Sequence, residues 1–343
     1  MIGPGDTLLK GRYYAMRLLH RGGFSFIYLA WDNVLGKDVV LKELIPTLAD
    51  DSATLQRFIC EAQATSHLAH PNIVRTLNVF TDQDNYYIVM EYLPGGSLEE
   101  FLRARKRLTL DEAAPIVADI CAGLDEAHSQ GVYHCDLKPG NILFDENGVA
   151  KLADFGIAHV SGALVARSWR TDRDFSSGTL LYMAPEQLDG VRDDPRVDVY
   201  ALGTVLYQML SGRPYLPFDS RGTPGAQADN ISFIRHRHPQ PLEDVPPEVN
   251  VVLMKALAKR PVRRYESAMA LRTALVQACL PYVTSPRAVM ALSPLDSASF
   301  RPLALPGGRV PPSDRVWAAT AATAASLLFL LVAYAFLGGV GSW

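Results

Sequence analysis

From residue 134 to residue 141 the chain reads His-Cys-Asp-Leu-Lys-Pro-Gly-Asn. That puts a carboxylate, an ammonium and a carboxamide in one loop after a long helical stretch. Asp136 could accept a proton from an attacking hydroxyl. Lys138 could neutralise a transferring phosphoryl group. Asn141 could ligate a magnesium ion through its carbonyl oxygen. Asp154, in Asp154-Phe155-Gly156, offers a second hard oxygen ligand. Two oxygen ligands completed by water and phosphate suit Mg2+, which rarely takes an all-protein cage.

Such groups need elements to hold them. Up to about residue 93 short β-rich runs dominate, at 13–19, 26–31, 38–43, 75–81 and 86–92, with one helix at about 53–68. Beyond Ser97 apolar residues recur at helical spacing in 113–128, 199–210, 249–258 and 268–278. A small sheet-rich lobe followed by a larger helical lobe is an α+β layout with a cleft between them, and such clefts are favoured ligand sites.

Composition narrows the class. The 343 residues carry 33 Lys+Arg against 36 Asp+Glu, and 48% are hydrophobic. That balance excludes a disordered chain and, lacking basic excess, argues against a nucleic-acid partner. Four cysteines in no paired spacing exclude a disulfide scaffold or a zinc ribbon. Charged residues make up 20%, below the usual level of about 25%. The deficit is partly local, because residues 316–343 contain no charged side chain. A helix over 318–340 would reach ~34 Å, enough to cross a hydrocarbon layer of ~30 Å. A buried soluble helix is the alternative. Arg301, Arg309 and Arg315 precede the span and nothing charged follows it, which puts its N-terminal side in the cytoplasm. The N-terminus has no apolar run of the secretory kind. The expectation is a cytoplasmic globular part held at the cell membrane by a C-terminal single span. Residues 281–315, interrupted by seven prolines from Pro281 to Pro312, read as an extended juxtamembrane linker. Small residues Ala318, Ala322 and Ala325 would let the span pack closely against a second copy in a homodimer.

The loop motifs resemble those of eukaryotic-type (Hanks-type) serine/threonine protein kinases: residues 134–141 match H-R-D-x-K-x-x-N, and Asp154-Phe155-Gly156 matches D-F-G. Val39-Val40-Leu41-Lys42 resembles V-A-I-K, and Ala184-Pro185-Glu186 resembles A-P-E. Asp198 matches the acid opening the large lobe's central helix, and Arg264 the partner of the A-P-E glutamate. The resemblance covers about residues 12–280. It implies a bilobal protein-kinase fold, with a small β-rich N-lobe at 12–93 and a larger helical C-lobe at 94–280. One C-terminal transmembrane helix at 318–340 is added, as in bacterial membrane-anchored members. Lys42, expected on the third strand and oriented by Glu61, would hold the α- and β-phosphates of ATP. Asn141 and Asp154 would hold Mg2+, for which Mn2+ could substitute. Asp136 and Lys138 would act on a Ser or Thr hydroxyl of a protein substrate. Adenine would lie between Leu19, Ile27 and Val40 above and Leu143 below, with Met90 at the rear and the backbones of Glu91 and Leu93 at the hinge. Plain core packing would also account for the four apolar residues. His134 and Asp198 would anchor the catalytic loop, and Glu186 with Arg264 would form a structural ion pair.

The chain departs from the family pattern twice. The phosphate loop reads His20-Arg21-Gly22-Gly23-Phe24-Ser25 where Gly-x-Gly-x-x-Gly is usual, so only Gly22 is kept. Cys135 replaces an arginine that in many kinases pairs with a phosphate on the activation loop. A thiol cannot make that bidentate pair, so activity is expected not to depend on loop phosphorylation by this route. The altered phosphate loop leaves a second class open, a catalytically weak pseudokinase serving as a membrane scaffold.

Overall fold

The computed structural model describes residues 2–49, 51–155, 159–160, 179–219, 223–285 and 287–288. Six strands form an antiparallel sheet in the order β1-β2-β3-β4-β6-β5. They are β1 (Thr7–Leu8), β2 (Tyr13–Arg21), β3 (Ser25–Asp32), β4 (Lys37–Leu44), β5 (Thr76–Asp82) and β6 (Asn85–Glu91). Lys42 lies on β4, the third long strand, because two-residue β1 precedes the others. Residues directly opposite in an antiparallel pair share a face. One face carries Tyr13, Tyr28, Leu41, Phe80, Tyr87 and Val89 as its own core. On it Phe80 stacks between Tyr13 and Tyr87, with ring centroids 5.3 and 4.9 Å away. Buried Glu43 accepts the hydroxyls of Tyr28 and Tyr87 there, each at 3.0 Å.

The other face carries Ile27, Val40, Lys42, Ile88 and Met90, as the registers Ile27↔Lys42, Lys42↔Ile88 and Val40↔Met90 require. Helix α1 (Ser52–Ser66) covers the inner part of this face, packing Phe58 and Ala62 against Leu44 and Ile88. The Asp51 carboxylate caps the helix by accepting the Thr54 N–H. Because Phe58 and Ala62 are one helical turn apart on the buried stripe, Glu61, adjacent to Ala62, is brought to the sheet beside Lys42.

After β6 the chain crosses to the helical lobe through Gly95-Gly96. The Gly95 N–H donates to Phe144 O at 3.0 Å, and the Phe144 N–H donates to Gly96 O at 2.9 Å. A Cβ on Gly95 would sit 2.6 Å from Phe144 O, so only glycine permits this approach. Helices α2 (Leu98–Arg105) and α3 (Leu110–Ser129) each open on a capping box, Ser97 with Glu100 and Thr109 with Glu112. Short strands β7 (Val132–Tyr133), β8 (Ile142–Phe144), β9 (Ala150–Leu152) and β10 (His159–Val160) follow. Then come α4 (Arg196–Ser211), α5 (Pro224–His236), α6 (Pro247–Ala256) and α7 (Ala268–Cys279). Almost every residue of α4 from Val197 to Leu210 is buried, so this helix is the axis around which α3, α6 and α7 pack.

The sheet and the four long helical stretches agree with the sequence patterning. Helices α2 and α5 were not anticipated. In α2 only Leu98 and Leu102 are buried, and α5 buries little beyond Ala226, Asn230 and Ile234, so neither shows a strong apolar stripe. The basic residues after α2 begins make ion pairs: Arg103 with Glu99, Arg105 with Glu112 and Arg107 with Asp244.

The first part of the proline-rich segment is docked rather than extended. Val283 and Ala288 are buried. Asp111, in the first turn of α3, accepts the Thr284 and Ser285 N–H groups at 2.7 and 3.0 Å and the Thr284 hydroxyl at 3.0 Å. Those contacts hold its carboxyl below the usual range. Arg287 donates to Gly148 O. Asp111→Ala should therefore speed tryptic cleavage after Arg287 in the folded protein; an unchanged cleavage rate would show that docking does not need Asp111. The expected span at 318–340 lies outside the described residues. No helix among the described residues is long and apolar enough to cross a membrane.

Candidate active site

The loop around Asp136 is fixed from below by Asp198 at the start of α4. Its carboxylate, fully buried, accepts the His134 N–H at 2.9 Å and the Cys135 N–H at 2.8 Å. It also bonds His128 Nε2 at 2.8 Å. Burial alone would raise the Asp198 carboxyl; the His128 hydrogen bond and the loop amides outweigh it and hold it low. These bonds hold Cys135 at φ 60, a conformation that costs a non-glycine residue of order 1–3 kcal/mol unless its surroundings impose it. Cys135 itself is buried; its thiol donates to Arg192 O at 3.3 Å, and its carbonyl accepts from Gln187 Nε2 at 2.9 Å.

From that platform Asp136 meets Lys138 Nζ at 2.7 Å through Oδ2. Asn141 Nδ2 donates to the Asp136 carbonyl at 2.9 Å. With its amide nitrogen so held, Asn141 has its side-chain oxygen left for a cation. The Ala153 N–H donates to Asn141 O at 2.9 Å, and Ala153 O contacts His134 Nε2 at 3.0 Å. Those two bonds bring Asp154 beside Asn141. Asp154 has φ 61, and its side chain is 47% exposed, so it opens onto the cleft. One of its oxygens bonds Lys42. Two side-chain oxygens aimed at one cleft are the donor set that Mg2+ takes when phosphate and water complete its shell.

Lys42 Nζ sits 2.5 Å from Glu61 and 2.7 Å from Asp154. Burial would lower the Lys42 ammonium, but the two carboxylates outweigh it and hold it above its ordinary value. Loss of water would raise Asp154, but Lys42 draws it down to about 2. Glu61 is pushed up to about 7, by burial first and with Asp154 adding to it, against the pull of Lys42. One ammonium shared between two carboxylates cannot fully compensate both, so the Glu61 carboxyl moves up while the Asp154 carboxyl moves down.

Above this cluster Leu19, Ile27, Val40, Met90 and Leu143 are each half-buried, as the walls of an open cleft must be. Leu19 falls where the β2–β3 register slips by one residue between Leu18 and His20. Glu91 donates its N–H to Arg75 O at 3.0 Å, whereas no described residue bonds the Leu93 N–H. Gly22, also half-buried, donates its N–H to Ser25 O at 2.9 Å and closes the loop over the cleft. Of the residues singled out from the sequence, Lys42 contacts Glu61 and Asp154, and Asp136 contacts Lys138 and Asn141, whereas Glu186 and Arg264 meet elsewhere. Sequence reasoning missed Lys151, whose Nζ reaches Glu91 at 2.8 Å and ties β9 to the end of β6. It also missed His128 beneath Asp198. Neither carries a local signal, since the partners lie 60 and 70 residues away in the chain.

Away from the cleft, Arg264 forms the ion pair read from the sequence, with Nη1 and Nη2 at 2.5 and 2.7 Å from the two Glu186 oxygens. Its remaining N–H groups donate to the carbonyls of Ala258, Arg196 and Lys259 at 2.7 to 2.9 Å.

The profile of the family described as "Protein kinase domain" matches residues 13–276. The chain belongs to the protein kinase family, in its Hanks-type serine/threonine branch. It is 36% identical over 260 residues to serine/threonine-protein kinase PrkC of Bacillus subtilis, covering 76% of this chain and 39% of that protein. It is 35% identical over 302 residues to serine/threonine-protein kinase PksC of Streptomyces coelicolor, covering 83% and 52%. Against serine/threonine-protein kinase PknB of Mycolicibacterium smegmatis it is 35% identical over 322 residues, covering 91% and 48%. The matches thus span about half, or less, of each relative's length.

Proposed function

We propose that this chain transfers the γ-phosphoryl group of ATP to serine or threonine hydroxyls of protein substrates. The reading rests on two sets of contacts, Glu61–Lys42–Asp154 and Lys138–Asp136–Asn141, brought side by side by the Ala153 N–H to Asn141 O bond. In this reading Asp136 accepts the proton of the substrate hydroxyl as its oxygen bonds to the γ-phosphorus. The bond from that phosphorus to the β–γ bridging oxygen breaks, and ADP departs with the electron pair. Lys138 balances charge on the transferring group, and Lys42 grips the α- and β-phosphates. Asn141 and Asp154 would hold Mg2+, which when bound offsets phosphate charge. Leu19, Ile27, Val40, Met90 and Leu143 would enclose adenine, with the Glu91 carbonyl and Leu93 N–H at its edge. The contacts do not favour the pseudokinase scaffold, because every charged group it would need to lack is present and paired.

The test is incorporation of label from γ-labelled ATP with Mg2+ into the protein itself or a Ser/Thr peptide library. Labelled phosphoserine or phosphothreonine is expected; none from folded protein would overturn the reading.

The uncharged stretch 316–343 supports a further part of the proposal, that the kinase domain sits on the cytoplasmic face of the cell membrane on one C-terminal span. Full-length protein should resist alkaline carbonate extraction from membranes, and a variant ending at residue 315 should be released. Equal release of both would remove the anchor.

A further inference from the structure

The residue at position 20 has no counterpart in a loop whose family members place glycine there, and the sheet register says where its side chain goes. His20 is opposite Ile27, Ile27 is opposite Lys42, and Lys42 is opposite Ile88. Directly opposed residues project to the same side, so His20, Ile27 and Lys42 form one file on the cleft face. Two strand spacings, about 10 Å, separate His20 from Lys42. The bulge at Leu19 adds a bend that turns this end of β2. The neighbouring basic residue goes the other way. Arg21 is opposite Phe26, on the face that carries the separate sheet core, and its guanidinium lies over the Phe26 ring at 5.4 Å. Of the two basic residues of the loop, only His20 is aimed at the cleft. Its side chain is exposed, and no described residue hydrogen-bonds its ring.

Resting on the nucleotide-binding reading above, we propose that His20 is a nucleotide-contacting residue. Its imidazole donates an N–H to an oxygen at the ribose–α-phosphate end of ATP, the end nearer the loop, while Lys42 holds the far side. A side chain thus supplies a donor in place of the close backbone approach that glycine would permit. The contact is made to the ligand alone, so the free protein loses nothing when His20 is changed.

The test measures equilibrium binding of ATP, AMP, adenosine and adenine to the full chain, as wild type, His20→Ala, His20→Gly and His20→Gln, with Lys42→Met as a control for the site. Removing the imidazole should weaken ATP and AMP roughly three- to tenfold, the scale of one hydrogen bond, and leave adenine unchanged. Gln, which keeps a donor, should recover part of the loss. The KM for ATP should rise with kcat almost unaltered. Weakened adenosine binding assigns the ribose as acceptor, and unaltered adenosine binding assigns the phosphate. ATP binding by the alanine and glycine variants that equals or exceeds wild type would overturn the proposal and mark His20 as filler or an obstruction. Wild type that fails to bind ATP, or binds it as well after Lys42→Met, would instead overturn the nucleotide-site reading on which the proposal rests.

Discussion

Asp136→Asn should lower phosphoryl transfer by about 10²- to 10⁴-fold, the usual worth of a positioned general base. It should leave nucleotide affinity and thermal stability near wild type. The substitution is nearly isosteric. An asparagine side chain can still accept from Lys138, which now meets Asp136 at 2.7 Å, and the backbone carbonyl that Asn141 bonds is untouched. The Asp198 platform beneath is likewise unchanged, because it grips the backbone of residues 134 and 135 and not the side chain of 136. What is lost is the capacity to take a proton. Single-turnover kinetics beside ATP binding and a melting curve checks each part. Transfer within tenfold of wild type, in a variant that melts normally, would mean that the proton leaves by another route.

Arg264→Ala should be the most damaging single change to stability. The side chain is wholly buried, and all five of its N–H groups have partners: two on Glu186 and three on backbone carbonyls. Removing it strands a carboxylate and three carbonyls. Breaking a buried ion pair from one side costs about 3–5 kcal/mol, equivalent to a fall in Tm on the order of 10 °C for a domain of this size. Lysine should rescue poorly, since a point charge cannot reach a carboxylate and three carbonyls in a planar fork. Removing both charges with Glu186→Met and Arg264→Met together should be milder than Arg264→Ala, because no buried charge is then left alone. The comparison is made by thermal and urea melts. A Tm change under about 3 °C for Arg264→Ala, roughly 1 kcal/mol, would show that the pair is dispensable.

The two experiments probe different kinds of legibility. The site could be listed from the sequence because its groups cluster in short runs whose order is characteristic: Asp136, Lys138 and Asn141 share one loop, and Asp154 follows closely. The strands and long helices were visible because burial on one side imposes a period of two or 3.6 residues. Helix α2 escaped because two buried leucines are too few to show a period, although its capping box at Ser97 and Glu100 was there to be read. Docking of residues 281–285 and 287–288 escaped because prolines signal only the absence of regular structure. Whether such a segment lies on the domain depends on an acceptor such as Asp111, more than 170 residues away.

By itself the sequence determined which groups exist, the order of the two lobes and, through residues 316–343, where the charge is missing. Those are properties of local composition and spacing. Tertiary structure alone decided that Asp198 holds Cys135 in a left-handed conformation and that Lys151 on β9 ties to Glu91 at the end of β6. Most important for the cleft, it decided that His20 shares a face with Lys42 while Arg21 turns away. A one-residue slip in register reverses every side chain on a strand, and the bulge at Leu19 is such a slip. No reading of residue types could say on which side of it His20 would fall.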